Sequence, residues 1–258
     1  MIGVVKSVLT AAQAACAFSQ GWGYPAGMRI PALRAWPRID AQGNVRGYVV
    51  PMPAAMLHAS AADADPPRAE RAGFECVLGQ ATAWLAAQAA EPAGTECCLS
   101  LPVSPQLLAS RGLAGEAGRI CDVSGIARAR VVIELPDIAG VRREPRLLDA
   151  LHRLHLAGFA LALGHAGTGD ATLQSLARLP WSELVLDATH VVRLVKSSSA
   201  RAIAKTVVAV AHALGILAVA DGVADASQRA VLVDLGYDGL QGTAVGSARR
   251  LPRAGLRG

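Results

Sequence analysis

Residues 158–190 read GFALALGHAGTGDATLQSLARLPWSELVLDATH, which is strand, glycine turn, helix and strand in one phrase. Phe159 to Leu163 is a short apolar run suited to a strand buried on both faces. Gly164-His165-Ala166-Gly167-Thr168-Gly169 is expected to turn the chain sharply at the carboxyl end of that strand. Leu173, Leu176, Ala177 and Leu179 follow at helical spacing, Pro180 stops the helix, and Glu183 to Asp187 forms the next strand. The phrase is a βαβ unit. Parallel α/β proteins gather ligands at the carboxyl ends of their strands, so residues 164 to 169 and Asp187 are expected to face a functional mouth.

Working outward, the same alternation repeats. Further strand candidates are Cys97 to Leu101, Val131 to Leu135, Ile216 to Ala220 and Tyr237 to Gln241, with helices expected near 104–124, 144–157, 170–179, 199–214 and 226–235. So many units in 258 residues favour closure into one (β/α)8 barrel over an open sheet. Upstream, Met28 to Ile39 and Val45 to Met52 flank the polar turn Asp40-Ala41-Gln42-Gly43-Asn44, which predicts an antiparallel pair and hence an irregular first strand. Glu70 to Ala90 is expected to be a helix burying Phe74, Val77, Leu78, Ala81, Trp84 and Leu85. Residues 1–27 read as an N-terminal extension ending in breaker-rich Gly21 to Gly27, and 28–258 as the barrel domain.

Composition narrows the function classes. A 52% hydrophobic content is enough for a full core, and the net charge of +5 comes from scattered arginines without aromatic interleaving, so no nucleic-acid surface is expected. Cys16, Cys76, Cys97, Cys98 and Cys121 form no C-x-x-C pair and leave an odd count, which excludes a zinc finger or disulfide framework and predicts reduced thiols in a cytoplasmic protein. No apolar run approaches the roughly 18–20 residues of a membrane span. Met1 to Gln20 has two readings, a weak signal-peptide pattern ending Ala15-Cys16-Ala17 and an amphipathic helix.

In a barrel, chemistry comes from the residues that close each strand. These are Ser100, Glu134, Gly164, His165, Asp187, Asp221 and Gln241. A cation there would draw on Glu134, Asp187 and Asp221, with His165 as a nitrogen ligand. Against this, an acidic residue at a strand end often caps the next helix. His165 is also placed for general-base work, or equally for a simple surface hydrogen bond. His152 and His155 fall on an outer helix, and no G-x-S-x-G surrounds any serine.

At these residues the chain resembles the EAL domain family, bacterial enzymes that linearise cyclic di-GMP, together with their catalytically silent relatives. The likeness covers roughly residues 36 to 252. Leu161 to Gly169 is similar to L-A-L-D-D-F-G-T-G, and Leu176 to Asp187 to S-L-x-x-L-P-x-D-x-L-K-I-D. Ala211 to Val223 is similar to A-H-A-L-G-x-x-V-V-A-E-G-V, and Asp234 to Gly242 to L-G-x-D-x-x-Q-G.

The resemblance implies a barrel with an irregular, antiparallel first strand and a reaction in which two divalent cations, Mg or Mn, activate a water against a phosphodiester. Carried over by position, the family's E-A-L falls on Val49-Val50-Pro51 and the phosphate-holding arginine on Pro53. The ligand asparagine falls on Ser100, the aspartate pair on Gly164 and His165, and the lysine on Val185. Glu134, Asp187 and Gln241 keep the family's residues, and Asp221 shortens a glutamate. The resemblance therefore implies a catalytically silent domain without catalytic residues or a built metal set, the one conceivable remnant being Glu134, His165 and Asp221. It implies a vestigial nucleotide pocket at Glu134, Gly164, His165, Gly167, Thr168, Asp187, Asp221 and Gln241, with cyclic di-GMP as ligand and no cofactor. Its partners would be a regulatory protein and a second copy of the chain, not nucleic acid or membrane. The alternative is a residual metal-dependent cyclic di-GMP phosphodiesterase.

Overall fold

The computed structural model describes residues 32–53, 66–88, 97–135, 144–168, 176 and 179–252. The expected extension over 1–27 lies outside them, as does all of the helix expected over 170–179 except Leu176 and Leu179. Eight strands close on themselves: β1 (Arg34–Ile39), β2 (Val45–Val49), β3 (Cys98–Pro102), β4 (Val131–Leu135), β5 (Ala160–Ala166), β6 (Glu183–Leu186), β7 (Leu217–Ala220) and β8 (Gly239–Gln241). Strands β2 to β8 run parallel in sequence order, and β1 is antiparallel to both β2 and β8, which completes the ring. A short β9 (Arg249–Arg250) pairs with the start of β1. The irregular first strand expected from the Asp40–Asn44 turn is therefore the closing strand of the barrel. Asp40 holds that turn by accepting from Asn44 N at 2.8 Å and Arg46 Nε at 2.9 Å.

Outside the strands lie α1 (Pro66–Gln88), α2 (Pro105–Leu108), α3 (Leu113–Ser124), α4 (Pro145–Leu156), α5 (Ala188–Arg193), α6 (Ser198–Ala213) and α7 (Ala226–Asp234). Side chains alternate along each strand. Leu99, Leu101, Ile133, Leu161, Leu163, Leu184, Leu186, Ala218 and Leu240 join the main core, with the helices packed over it. Val132, Ala162, Val185 and Val219 form a second, separate cluster with Cys98 and Ala160. That cluster is the filling of the barrel, and the residues two steps further along the strands share its face: Ser100, Glu134, Gly164, Asp187, Asp221 and Gln241. The six α1 residues expected to be apolar and inward are all buried. Cys76, Cys97, Cys98 and Cys121 are free thiols, and burial pushes Cys121 up to about 12, so it is an inert core residue.

Beyond shifts of one to three residues at several strand and helix ends, α1 begins at Pro66 where Glu70 was expected, and three further differences from the sequence reading change how the chain turns. The single helix expected over 104–124 is two, α2 and α3, because Gly112 adopts φ 80° and breaks the run while Ser104 Oγ caps α2 at Leu107 N. β8 begins at Gly239 and not Tyr237. Tyr237 is a core residue instead, its hydroxyl donating to the Ala204 carbonyl at 3.0 Å.

The third difference touches the mouth. β5 does not turn at Gly164 but continues through Ala166, with a bulge that sets Leu163 opposite Leu184 and Ala166 opposite Leu186. His165 occupies the bulge at φ 50°, and the turn itself starts at Gly167, φ 92°. No L-residue fits Gly167 without displacement, since a Cβ there would stand 2.6 Å from Ile203 Cγ2 and 3.1 Å from the His190 ring.

Candidate functional site at the barrel mouth

A residue not singled out from the sequence organises the interior. Arg38, on β1 opposite Gln241 of β8, points into the barrel with 7% of its side chain exposed. Its Nε donates to Gln241 Oε1 at 3.0 Å and its Nη1 to Glu183 Oε2 at 2.6 Å. Gln241 Nε2 in turn donates to Asp221 Oδ1 at 3.0 Å. The Arg38 chain passes over Gly239, where a Cβ would lie 3.4 Å from Arg38 Cδ and 3.1 Å from Val219 Cγ2. Arg38 Nη2 is buried without a hydrogen-bond partner among the described residues. Across the barrel, Ser100 Oγ donates to Glu134 Oε2 at 3.1 Å.

The electrostatics follow from this crowding. Burial pushes the Glu134 carboxyl above its ordinary range, helped by the charges of Glu183 and Asp221 and opposed in part by Arg38 and Ser100. Burial alone would lower the Arg38 guanidinium. The carboxylates of Glu183 and Glu134 more than reverse that and hold it above its usual value. It is a permanent cation among carboxylates.

A second group sits on the rim. His165 Nε2, its side chain 57% exposed, stands 3.7 Å from Asp187 Oδ2. Asp187 also accepts from Thr189 N at 2.8 Å as the N-cap of α5. Burial acts to raise the Asp187 carboxyl, but the Thr189 hydrogen bonds and the nearby His165 and His190 rings bring it below its ordinary value. Thr168 turns back on its own strand, donating to the His165 carbonyl at 2.6 Å.

The eight residues read from the sequence as one pocket thus fall into three places. Glu134, Asp221 and Gln241 face the barrel interior around Arg38, with buried Gly164 on the same face. His165 and Asp187 meet on the rim, and Gly167 and Thr168 form the turn beyond it, Gly167 against α6. Arg38 and Glu183 escaped the sequence reading. Strand parity could have found Glu183, because it lies four residues before Asp187 in one strand and therefore shares its face.

The donor set does not fit two divalent cations. Among the described residues no three His, Cys, Asp or Glu side chains converge to hold a metal. Glu134 is engaged by Ser100, Glu183 by Arg38, Asp221 by Gln241 and Asp187 by Thr189. Hard cations need several convergent, unengaged oxygens, and a fixed guanidinium in their midst repels them.

A family model described as the EAL domain matches residues 56–248. The chain belongs to the EAL domain family. Its relatives include the cyclic di-GMP phosphodiesterase RocR of Pseudomonas aeruginosa, 32% identical over 56% of this chain and 37% of RocR. The probable cyclic di-GMP phosphodiesterase PdeA of Escherichia coli is 26% identical over 68% of this chain and 24% of its own length. The chain thus spans little more than a third, or less, of these relatives. Among solved structures, the PaMucR phosphodiesterase in complex with c-di-GMP superposes with TM-score 0.69 at 25% identity, covering 86% of this chain and 92% of that one. The EAL domain of Mycobacterium smegmatis DcpA gives TM-score 0.71 at 24% identity over 88% and 94%. The family match begins beyond β2, so the two strands that close this EAL barrel, with Arg38 and Val49, lie outside it.

Proposed function

We propose that this EAL barrel is catalytically silent and acts as a regulatory binding module, through contacts with a partner protein and with cyclic di-GMP as its small-molecule ligand. The observation that carries this reading is Arg38, whose guanidinium bonds Glu183 and Gln241 inside the barrel, next to Glu134 and Asp221. An arginine held there sets a fixed positive charge among the carboxylates that a cation would need, and the side chains of Val49 and Val185 and the bare Gly164 add no oxygen or amine donor. Nucleotide binding is supported by two features: the glycine turn at 167, and relatives named or solved with cyclic di-GMP. Free buried thiols agree with a reducing cytoplasm, and no helix among the described residues is long and apolar enough to cross a membrane.

The test is isothermal titration of the protein with cyclic di-GMP, with and without Mg²⁺ or Mn²⁺, followed by assay of the same samples for linear product. The expected result is saturable binding that divalent cations do not strengthen, and no turnover. Metal-dependent linear product would replace this reading with a residual phosphodiesterase. Absence of binding would leave a scaffold that works through protein contacts alone.

A further inference from the structure

Strand β1 runs against strands β2 to β8, so it enters the barrel at the mouth, and its side chains alternate between the outer core and the interior. Arg34, Trp36 and Arg38 share one face, and Arg38 shows that this face is the inner one. Two neighbours agree. Trp36 pairs with Val49, the last residue of β2, while Tyr48 beside it turns outward to meet Trp84 of α1 edge-on, ring centroids 4.8 Å apart. On β9, Arg249 stands outward over the Tyr48 ring at 5.6 Å, so Arg250, which pairs with Arg34, lies on the inner side. The lip of the mouth therefore carries Arg34, Trp36 and Arg250, above the locked Arg38.

Two independent features of this lip are unexplained by the fold. Arg34 and Arg250 are directly opposite each other in an antiparallel pair, both exposed, and neither has an ion pair or side-chain hydrogen bond among the described residues. Like charges placed directly opposite destabilise a sheet, and no carboxylate here offsets them. Trp36 is the second. Trp84 and Trp181 are buried, but Trp36 is partly exposed, with no hydrogen-bond or ring partner among the described residues and an indole N–H that is not buried. An accessible indole beside Val49 is a flat apolar platform on which a nucleobase can stack. Two guanidinium groups with nothing between them suit a phosphate, which can accept from both. Arg34 is two residues from Trp36, about 7 Å along the strand, which is the reach of the ribose that joins a base to its phosphate.

We propose that this lip holds a nucleotide without metal: a guanine of cyclic di-GMP stacks on Trp36, and the adjoining phosphate sits between Arg34 and Arg250. The assignment rests on the reading above that cyclic di-GMP is the ligand of the mouth, and it names the residues that bind it.

The test is titration of the full chain with cyclic di-GMP in EDTA at low salt, followed by calorimetry and by tryptophan fluorescence. Saturable binding is expected, with quenched emission, and added salt should weaken it. Trp36→Ala should lower affinity by about tenfold, the loss of one base stack, whereas Trp36→Phe should keep most of the affinity and lose the quenching. Arg34→Ala and Arg250→Ala should each weaken binding by about tenfold, and Arg34→Glu should abolish it. Because each arginine is exposed and faces a like charge, the thermal midpoints of the two alanine variants should hold or rise, which separates lost contact from lost fold. Binding that survives unchanged in Trp36→Ala, Arg34→Ala and Arg250→Ala would overturn the lip while leaving cyclic di-GMP as the ligand. Quenching that persists in Trp36→Phe, or binding that needs Mg²⁺ or Mn²⁺, would also overturn the lip alone. No saturable binding with or without those cations would overturn the lip and the ligand together.

Discussion

Arg38 and the pair Arg34 and Arg250 carry the same guanidinium in opposite settings. Inside the barrel, Arg38 is buried and spends Nε and Nη1 on Gln241 and Glu183, and those side chains lead on to Asp221. On the lip of the mouth, Arg34 and Arg250 face each other across two strands with no carboxylate among the described residues engaged to them. The difference teaches where this chain has charge to offer. A buried cation must be matched by structure, because leaving it unmatched costs several kcal/mol, whereas an exposed cation costs little and remains free for a ligand. The interior, where the family does its chemistry, is the more committed of the two.

The sharpest way to break that contrast is to remove Arg38. Arg38→Met should destabilise the protein by about 3–5 kcal/mol, since it strands the Glu183 carboxylate in the barrel. The double variant Arg38→Met with Glu183→Leu should recover most of that loss, because burying two apolar side chains is close to neutral against a buried ion pair. Arg34→Ala should shift stability by no more than about 0.5 kcal/mol. Urea unfolding of the four proteins measures all of this. An Arg38→Met variant as stable as the wild type would mean that the interior is not locked by this pair.

Why the interior lock was hidden in the sequence, while the barrel around it was plain, is a matter of period and distance. Parallel buried strands announce themselves as apolar runs, and the helices between them by 3.6-residue spacing, so β3 to β8 and the closing hairpin were legible. Glu183 and Arg38 lie 145 residues apart and meet only because closure brings β1 beside β8, with β6 facing across. No local pattern encodes that. The run Gly164-His165-Ala166-Gly167 looked like one turn because glycine marks both bulges and turns, and only the Leu186 pairing of Ala166 separates them. Gly112 was a readable helix breaker inside an otherwise periodic stretch.

A smaller effect sharpens the comparison by testing the room Arg38 needs. Gly239→Ala places a methyl 3.1 Å from Val219 Cγ2 and 3.4 Å from Arg38 Cδ, within a packed interior that has little freedom to give. The expected cost is about 1–3 kcal/mol, the usual range for overpacking. In an Arg38→Met background the flexible thioether yields more readily, so the two changes should be less than additive in a double-mutant cycle. Additivity would show that the strain at Gly239 comes from Val219 alone.

The smallest effect is the most informative about charge, and it lies at Glu134. Burial raises this carboxyl in the folded protein, so the native state holds the proton more firmly than the unfolded chain. Stability from this group is therefore fullest below the ordinary glutamate range and declines as pH rises from there through the raised value. Glu134→Gln removes the titration while keeping an oxygen to accept from Ser100. It should be more stable than the wild type at about pH 7.5 by about 0.5–1.5 kcal/mol, with the advantage shrinking as pH falls towards about 4. Urea unfolding at both pH values, with Arg38 intact, is the measurement. If the variant is instead weaker at neutral pH, the attraction of Arg38 for an ionised Glu134 exceeds the cost of its burial, and the interior network extends to a third carboxylate.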